Sequence, residues 1–340
     1  MGNAQKEIGM KNLITCLVVS LLSGATYATT WTVDDDGAAD FDNIQDAIDA
    51  ASDGDEIIVM PGTYTGTGDY AVNMNGKAIL LRSQNGAEDT IISGQGQRVV
   101  IHCGNNETAS TIISGFKIID GNSTFGGGIR CSAASPIIEN CIFENNIAVF
   151  GGGIRAIGGG TIHITDCQFR ENTASFLGGA FSGEAVSVVF TNCLIRNNHA
   201  DQTGGVHVDS YGGSMENSVI CSNTNGQVHG VSHEGCTVAD VCEPSCGDVN
   251  GDDIVNVGDL LVVIENWGTF DINADVTLDG IVDVDDILLI VSAWGTDCSP
   301  DPQGACCIGQ SDPWCKILTE KECLNYGGWY QGDGSDCNCP

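Results

Sequence analysis

Between Phe116 and Asn223 one short phrase is written about five times. Phe116-Lys117-Ile118 leads to Gly121 and then Gly126-Gly127-Gly128-Ile129-Arg130. Asn140-Cys141-Ile142-Phe143 leads to Asn146 and Gly151-Gly152-Gly153-Ile154-Arg155. Asp166-Cys167-Gln168-Phe169 leads to Asn172 and Gly178-Gly179-Ala180. Asn192-Cys193-Leu194-Ile195 leads to Asn198 and Gly204-Gly205-Val206, and Asn217-Ser218-Val219-Ile220 leads to Asn223. The core positions Ile118, Phe143, Phe169, Ile195 and Ile220 are spaced 25, 26, 26 and 25 residues apart. A fixed period of this size means a solenoid. Gly triplets, β-branched runs and the lack of any ten-residue helical pattern make its coils strands rather than helix pairs. Each copy is too short to bury a face alone, so each strand pairs with the next copy, about 4.8 Å on.

The columns of this repeat have different chemistries. Asn146, Asn172, Asn198 and Asn223 fall at turns, where stacked amides satisfy turn backbone. Cys141, Cys167 and Cys193 each lie two residues before an inward residue and so also point inward. Three thiols in one buried stack behave as small hydrophobes before they behave as ligands. In the Gly-Gly strand Ile129, Ile154, Ala180 and Val206 read as inward. Their successors Arg130, Arg155, Phe181 and His207 then form an outward column and a candidate ligand-binding face. Arginine forks a carboxylate or sulfate. Neighbouring acids such as Glu139 and Glu144 are the competing partners for these arginines.

Upstream, Asp42-Asn43-Ile44-Gln45 reads as a capping box, with Asp42 at the N-cap. Ile44, Ala47, Ile48 and Ala51 follow at helical spacing until Gly54. A short amphipathic helix there covers the open solenoid end ahead of the first coil. Strands are expected at Glu56–Met60, Ala78–Arg82, Thr90–Ile92, Val99–His102 and Thr111–Ile113. From Ile57 to Asn223 there is room for about seven coils, or roughly 35 Å.

The stretch from Trp31 to Val238 resembles the right-handed parallel β-helix proteins of the pectate-lyase-like superfamily. That resemblance implies a mainly β fold and one sheet face used as a substrate groove. It is silent on activity, because the fold carries lyases, hydrolases, epimerases and inert adhesins. The polygalacturonase-type motifs Asn-Thr-Asp, Asp-Asp, Gly-His-Gly and Arg-Ile-Lys are missing from the repeats between Phe116 and Asn223. The Arg-x-Pro-x-x-Arg pattern of the largest pectate lyase family is missing too.

Twelve Lys and Arg stand against 45 Asp and Glu, a formal charge of −33. Such a chain does not suit DNA, RNA or an anionic membrane. Residues 1–28 read as a signal peptide. Lys6 and Lys11 precede the apolar stretch Leu13 to Leu22, and Ala25-Thr26-Tyr27-Ala28 supplies the cleavage site, with Met1 or Met10 as the start. Ten apolar residues are too few for a membrane span. Removing Cys16 leaves 16 cysteines, an even number that fits disulfides in an exported, extracellular or surface protein. Cys236, Cys242 and Cys246 read as a disulfide-rich hinge closing the β-helix domain, residues 29–240.

From Gly247 to Gly295 a second repeat runs with a 27-residue period. Asp248, Asn250, Asp252, Asn256 and Asp259 put oxygens at positions 1, 3, 5, 9 and 12 of a twelve-residue loop, and Ile254 offers its carbonyl at position 7. Asp275, Thr277, Asp279, Ile281, Asp283 and Asp286 repeat the set, with Gly280 at the sharp turn. These loops are expected to bind Ca2+. Each runs into an apolar helix that closes in Trp267-Gly268 or Trp294-Gly295. Two such loops resemble a type I dockerin over residues 246–298. That resemblance implies a cohesin-like partner and ends close enough for Cys246 to bond Cys298. Asp253 and Thr277 depart from the usual loop residues, and Val257-Gly258 and Val284-Asp285 make any cohesin specificity atypical. The last segment, 304–340, is a six-cysteine module too short to fold without staples.

The sequence therefore describes a secreted, polysaccharide-associated protein. A carbohydrate-binding or divergent polysaccharide-degrading β-helix is coupled to a calcium-dependent dockerin-like module. A non-enzymatic adhesin is the alternative. A close carboxylate pair on one solenoid face favours the first, and outer columns of only Asn, Ser, Thr and Gly favour the second.

Overall fold

In the computed structural model residues 28–239, 247–250, 254–269, 271 and 273–295 are described, with the backbone of strands Gln303–Ile308, Trp314–Thr319 and Trp329–Asp333. Residues 1–27 of the expected signal peptide, the loop residues 251–253, and Cys242, Cys246 and Cys298 lie outside them. The chain divides into two compact units, Met1–Cys242 and Glu243–Pro340.

The first unit is a parallel β-solenoid. One rung stands for the others. Ile137–Glu139 lies in a first sheet, Ile142–Glu144 in a second and Ile154–Ile157 in a third, with the short strand Ile147–Phe150 between the last two. Thr161–Thr165 then re-enters the first sheet one rung on, with His163 opposite Ile137. The three sheets are eight, eight and seven strands deep, and the short strands form a three-stranded ledge. The eighth strand of the first sheet, Thr30–Val33, was not expected; it precedes the helix and pairs with Glu56–Val59. Gly62–Thr65 and Tyr70–Asn73 are further strands that the sequence pattern did not reveal.

Single residues turn the corners. Asn140, Asp166, Asn192 and Asn217 stand at φ of 47–54° between the first and second sheets. Asn and Asp reach this left-handed conformation more readily than other side chains, which explains their recurrence there. Behind the corners the core is built of columns. Ile138, Ile164, Phe190 and Met215 stack in the first sheet, and Ile118, Phe143, Phe169, Ile195 and Ile220 in the second. All are buried, and the Phe143 and Phe169 rings lie parallel with centroids 4.5 Å apart.

The next corner is held by the asparagine column. Asn172 Oδ1 accepts from the Asn146 backbone N–H (3.1 Å) and from Asn146 Nδ2 (3.0 Å). Its own Nδ2 donates to Phe143 O, Arg170 O and Asn198 Oδ1 at 2.9–3.2 Å. Asn198 repeats this toward Asn223, and Gln227 ends the ladder by accepting from Asn223 Nδ2 at 2.7 Å. Buried polar groups need such partners, since each orphan costs about 1–3 kcal/mol.

The cysteines fill space. Cys141, Cys167 and Cys193 are fully buried free thiols, each with Sγ 3.2–3.3 Å from a carbonyl two residues back. Burial pushes the Cys193 thiol up to about 12, far from the thiolate a metal needs. Cys103 and Cys131 make a second buried pair on neighbouring strands. Cys221 is disulfide-bonded, whereas Cys236, expected in a disulfide hinge, is a free thiol.

Helix α1 (Ile44–Ala50) buries Ile44, Ala47 and Ile48 against the first rungs. Its N-cap is Asn43, one residue after the expected Asp42; Asn43 Oδ1 accepts from Asp46 N at 2.9 Å. Gln45 is thereby free to clasp the solenoid, accepting from Asn73 N at 2.7 Å and donating to Asn73 O at 3.2 Å. No basic residue sits in the last turn, and Lys77 supplies one from the next rung. Its Nζ donates to Ile48 O, Asp49 O and Ala51 O at 2.5–2.8 Å.

In the second unit, helices α2 (Val257–Glu265) and α3 (Val284–Ser292) bury Val263 and Ile290 with Val255, Ala274, Val276 and Val282. The Trp-Gly pairs now have a reason. Gly268 and Gly295 take φ of 74° and 79°, and each donates its N–H to the other repeat, at Val282 O and Val255 O. The C-terminal strands form a three-stranded antiparallel sheet with Gln303–Ile308 at its centre. Among the described residues no helix is long and apolar enough to cross a membrane.

The ladder predicts its own weak point. Asn172→Ala orphans the Asn146 N–H and the Phe143 carbonyl together. It should cost about 2–6 kcal/mol, summing two orphaned groups, in denaturant unfolding monitored by circular dichroism. A loss below 1 kcal/mol would show that the ladder is dispensable.

Candidate functional site

The third sheet carries the outward column that the sequence points to, with one correction. Ile154 pairs with Phe181 and Arg155 with Ser182, so Phe181 belongs to the core column of Ile101, Ile129, Ile154 and Val206. Phe181 is fully buried and meets Phe190 edge-on, with centroids 5.5 Å apart. Ala180 takes the place of Gly153, not of Ile154. A slip of one residue exchanges the two faces of a strand. The outward column therefore runs Asn73, His102, Arg130, Arg155, Ser182, His207 and His229. Arg130 and Arg155 are neighbours as expected. His207 stands beyond Ser182.

The two arginines have different duties. Arg155 is buried, donates to Ser182 Oγ at 2.7 Å and forms an ion pair with Glu184. Arg130 is half-buried and, among the described residues, makes no ion pair. Neither arginine pairs with Glu139 or Glu144. Glu144 instead meets Lys117 (3.2 Å) and Arg170 (2.8 Å) on the second sheet.

An aromatic ledge, unforeseen in the sequence, flanks the column. Phe125, Phe150 and Phe176 follow one another at 25 and 26 residues, so the repeat did contain the signal. Phe125 and Phe150 stack with centroids 5.7 Å apart, and Phe176 meets Phe150 edge-on at 5.4 Å. The Arg130 guanidinium lies over Phe125 at 5.6 Å and that of Arg155 over Phe150 at 5.2 Å. Phe176 is 41% exposed, and among the described residues no arginine covers it.

Beside the basic column run Ser132, Ile157, Glu184 and Asp209, the last two opposite each other on neighbouring strands. Asp209 Oδ1 lies 3.2 Å from His207 Nε2, and Thr203 Oγ1 lies 3.3 Å from Nδ1. Burial lowers His207 below the ordinary histidine range, with Asp209 opposing it. Burial and then the charge of Arg130 lower His102, which stacks on Tyr70 at 4.1 Å. The face thus offers one unpaired guanidinium, flat apolar rings and a carboxylate pair. A separate cleft of about 480 Å³ near α1 is lined by Asp46, Asp69 and Tyr70 and has no basic residue.

In the second unit the loops close on buried carboxylates. Asp259 accepts from Val249 N, Asn250 N and Asn256 N at 2.7–3.1 Å. Asp286 accepts from Thr277 N and Asp283 N at 3.0 and 2.8 Å. Asp275 accepts from Asp279 N and Gly280 N at 3.1 and 2.7 Å. Burial, with Asp286 and Asp279 nearby, pushes Asp275 up to about 6. Carboxylate oxygens of Asp279, Asp283 and Asp285 lie within 4.8 Å of one another. Ile254 and Ile281 stand at position 7 of their loops, and Asn256 Nδ2 donates to Ile254 O at 2.8 Å. Asp252 and the Cys246–Cys298 pair lie outside the described residues. This oxygen-only donor set fits a hard cation such as calcium.

No family model and no curated protein matches the chain. Among solved structures it is similar to a pectin methylesterase from carrot, at 11% identity and a TM-score of 0.40 over 65% of this chain and 90% of that one. It is also similar to a rhamnogalacturonan lyase, at 15% and 0.39 over 64% of each chain. Pectate lyase Pel9A is a third, at 15% and 0.40 over 62% of this chain and 69% of that one. Likeness at this level carries no residue roles to the present chain.

The division of labour between the arginines can be measured. Arg155→Ala should lower stability by about 1.5–3 kcal/mol, the range for hydrogen bonds to charged groups, whereas Arg130→Ala should change it by less than about 1 kcal/mol. Equal losses in urea unfolding would contradict the assignment.

Proposed function

We propose that the first unit binds acidic polysaccharide along the outer face of its third sheet. The observation that carries this reading is Arg130, unpaired and held over Phe125 at the edge of the aromatic ledge. A guanidinium forks a uronate carboxylate or a sulfate, and Phe176 offers its ring to the apolar face of a sugar. Arg155 orients the site through Ser182 and Glu184. An outer column of Arg, His, Glu and Asp speaks for a carbohydrate-directed role over an inert adhesin. Binding to polygalacturonate and to a sulfated glycan, measured by calorimetry at low salt, tests it. Arg130→Ala should weaken binding about tenfold or more, since a charge-assisted contact contributes about 1.5–3 kcal/mol. Phe176→Ala should weaken it as well. Unchanged affinity in both variants would sink the proposal.

Glycan cleavage is a second reading, supported by Glu184 and Asp209 facing each other on neighbouring strands. It requires reducing ends or unsaturated uronates to appear on incubation, and to be lost in Glu184→Gln and Asp209→Asn.

For the second unit we propose a calcium-dependent docking module of dockerin type on a secreted protein. Buried Asp259, Asp275 and Asp286 support the ion, because no Lys or Arg occurs between Arg196 and Lys316 to neutralise them. Asp248, Asn250, Asn256 and Asp259 would hold one ion with Asp252. Asp275, Thr277, Asp279, Asp283 and Asp286 would hold the other. The helices present one apolar stripe twice, Val257, Leu261, Ile264 and Trp267 matching Val284, Leu288, Val291 and Trp294, each about half exposed. A cohesin-like protein is the partner proposed for this surface. Chelator should melt α2 and α3, seen in helical circular dichroism, and spare the strand signal of the solenoid. Identical spectra in calcium and in chelator would refute calcium-dependent folding.

A further inference from the structure

We propose that His207, Asp209 and His229 form a binding site for a divalent transition ion of the zinc class at the C-terminal end of the third sheet. Each residue offers one ligand atom, and the three atoms lie within 4.8 Å of one another. Topology brings them together. His207 and His229 are register partners on adjacent strands, and their rings stack with centroids 4.5 Å apart. Asp209 is two residues beyond His207 and so shares its face.

The geometry is that of a partly assembled shell. Donors held about 2.0–2.1 Å from a tetrahedral ion stand about 3.3 Å apart. His207 Nε2 and Asp209 Oδ1 are already 3.2 Å apart. His207 and Thr203 are buried, at 7% and 9% exposure, and Thr203 Oγ1 is 3.3 Å from Nδ1. With Nδ1–H donating to Thr203, Nε2 presents its lone pair outward. This is how an outer hydrogen bond fixes the tautomer of a ligating histidine. Asp209 and His229 are exposed, so rotation about their side-chain bonds closes the remaining distance without moving backbone. Two imidazoles and one carboxylate suit zinc, copper, nickel or iron, while calcium prefers oxygen alone. The site is thus chemically distinct from the acidic loops of the second unit. Three ligands leave coordination positions open to solvent.

The test is a zinc titration of the full-length, oxidised protein in excess calcium, followed by calorimetry. His229→Gln and Asp209→Asn change exposed side chains and should leave the fold intact. Each should lose one equivalent of zinc or bind it at least tenfold more weakly. Thr203→Val should weaken it about 10-fold with the stoichiometry kept, as loss of an outer partner does. A zinc-induced rise in the solenoid melting midpoint should appear in the wild type and vanish in His229→Gln. Equal stoichiometry and affinity in the wild type, His229→Gln and Asp209→Asn would overturn the proposal. Zinc held only by the cysteines of the tail gives that result, because these variants leave those cysteines untouched.

Discussion

A parallel solenoid satisfies its strands and most corners by backbone bonds across rungs, but at the corner after the second sheet the N–H of Asn146, Asn172 and Asn198 is met by a side chain. The asparagine ladder answers this constraint, and the remaining architecture depends on it. Each amide accepts from the backbone N–H of the preceding rung's asparagine and donates to a carbonyl of that same rung. An amide can do both in a buried space, and its NH2 carries two donors where a hydroxyl carries one. Because the ladder is buried, each rung must bring its asparagine to the same corner. The 25–26-residue period follows from that requirement.

The ladder also explains where the sequence was legible and where it misled. The core columns and the Asn and Cys columns could be read because each repeats at one period. The error at Phe181 came from aligning the rungs on glycine. From ladder asparagine to core residue is 8 residues in two rungs, Asn146 to Ile154 and Asn198 to Val206, but 9 from Asn172 to Phe181. The register shift between Ala174 and Leu177 takes up the extra residue. Phe150 therefore pairs with Leu177, and Phe176 is pushed outward. The strand Thr30–Val33 had no copy to be compared with. At α1 both Asp42 and Asn43 are good N-caps, and the clasp of Gln45 on Asn73 decides between them. That contact is tertiary and leaves no local signal.

Charge is distributed unevenly, and the unevenness has consequences. In the solenoid the few basic residues are nearly all committed. Lys77 closes α1, Arg82 meets Glu56, Lys117 and Arg170 share Glu144, and Arg155 holds Glu184. Arg130 is left with an aromatic partner only. In the loops of the second unit three carboxylates are buried with backbone N–H groups as donors and no basic side chain in the surrounding sequence. Backbone dipoles alone leave Asp275 pushed up to about 6. A cation held there, as proposed for these loops, would reverse that penalty at Asp275.

The glycine bends connect this fold requirement to the proposed binding face. A Cβ on Gly152 would lie 2.6 Å from Gly179 O, so rung spacing excludes a side chain there. Gly151, at φ 66°, then turns the chain sharply enough to fold Phe150 back under Arg155, five residues on. Gly126 does the same for Phe125 and Arg130. The ring restrains each guanidinium without taking up its N–H edge, which would lower the ordering cost when an anion binds. Arg155 spends that edge on Ser182 and Glu184, and Arg130 does not. On the third rung Ser182 replaces arginine, and the ring of Phe176 stays open to solvent. Successive rungs thus present a guanidinium without an ion pair, a fixed ion pair and a bare aromatic ring, the order in which the proposed polymer would meet them.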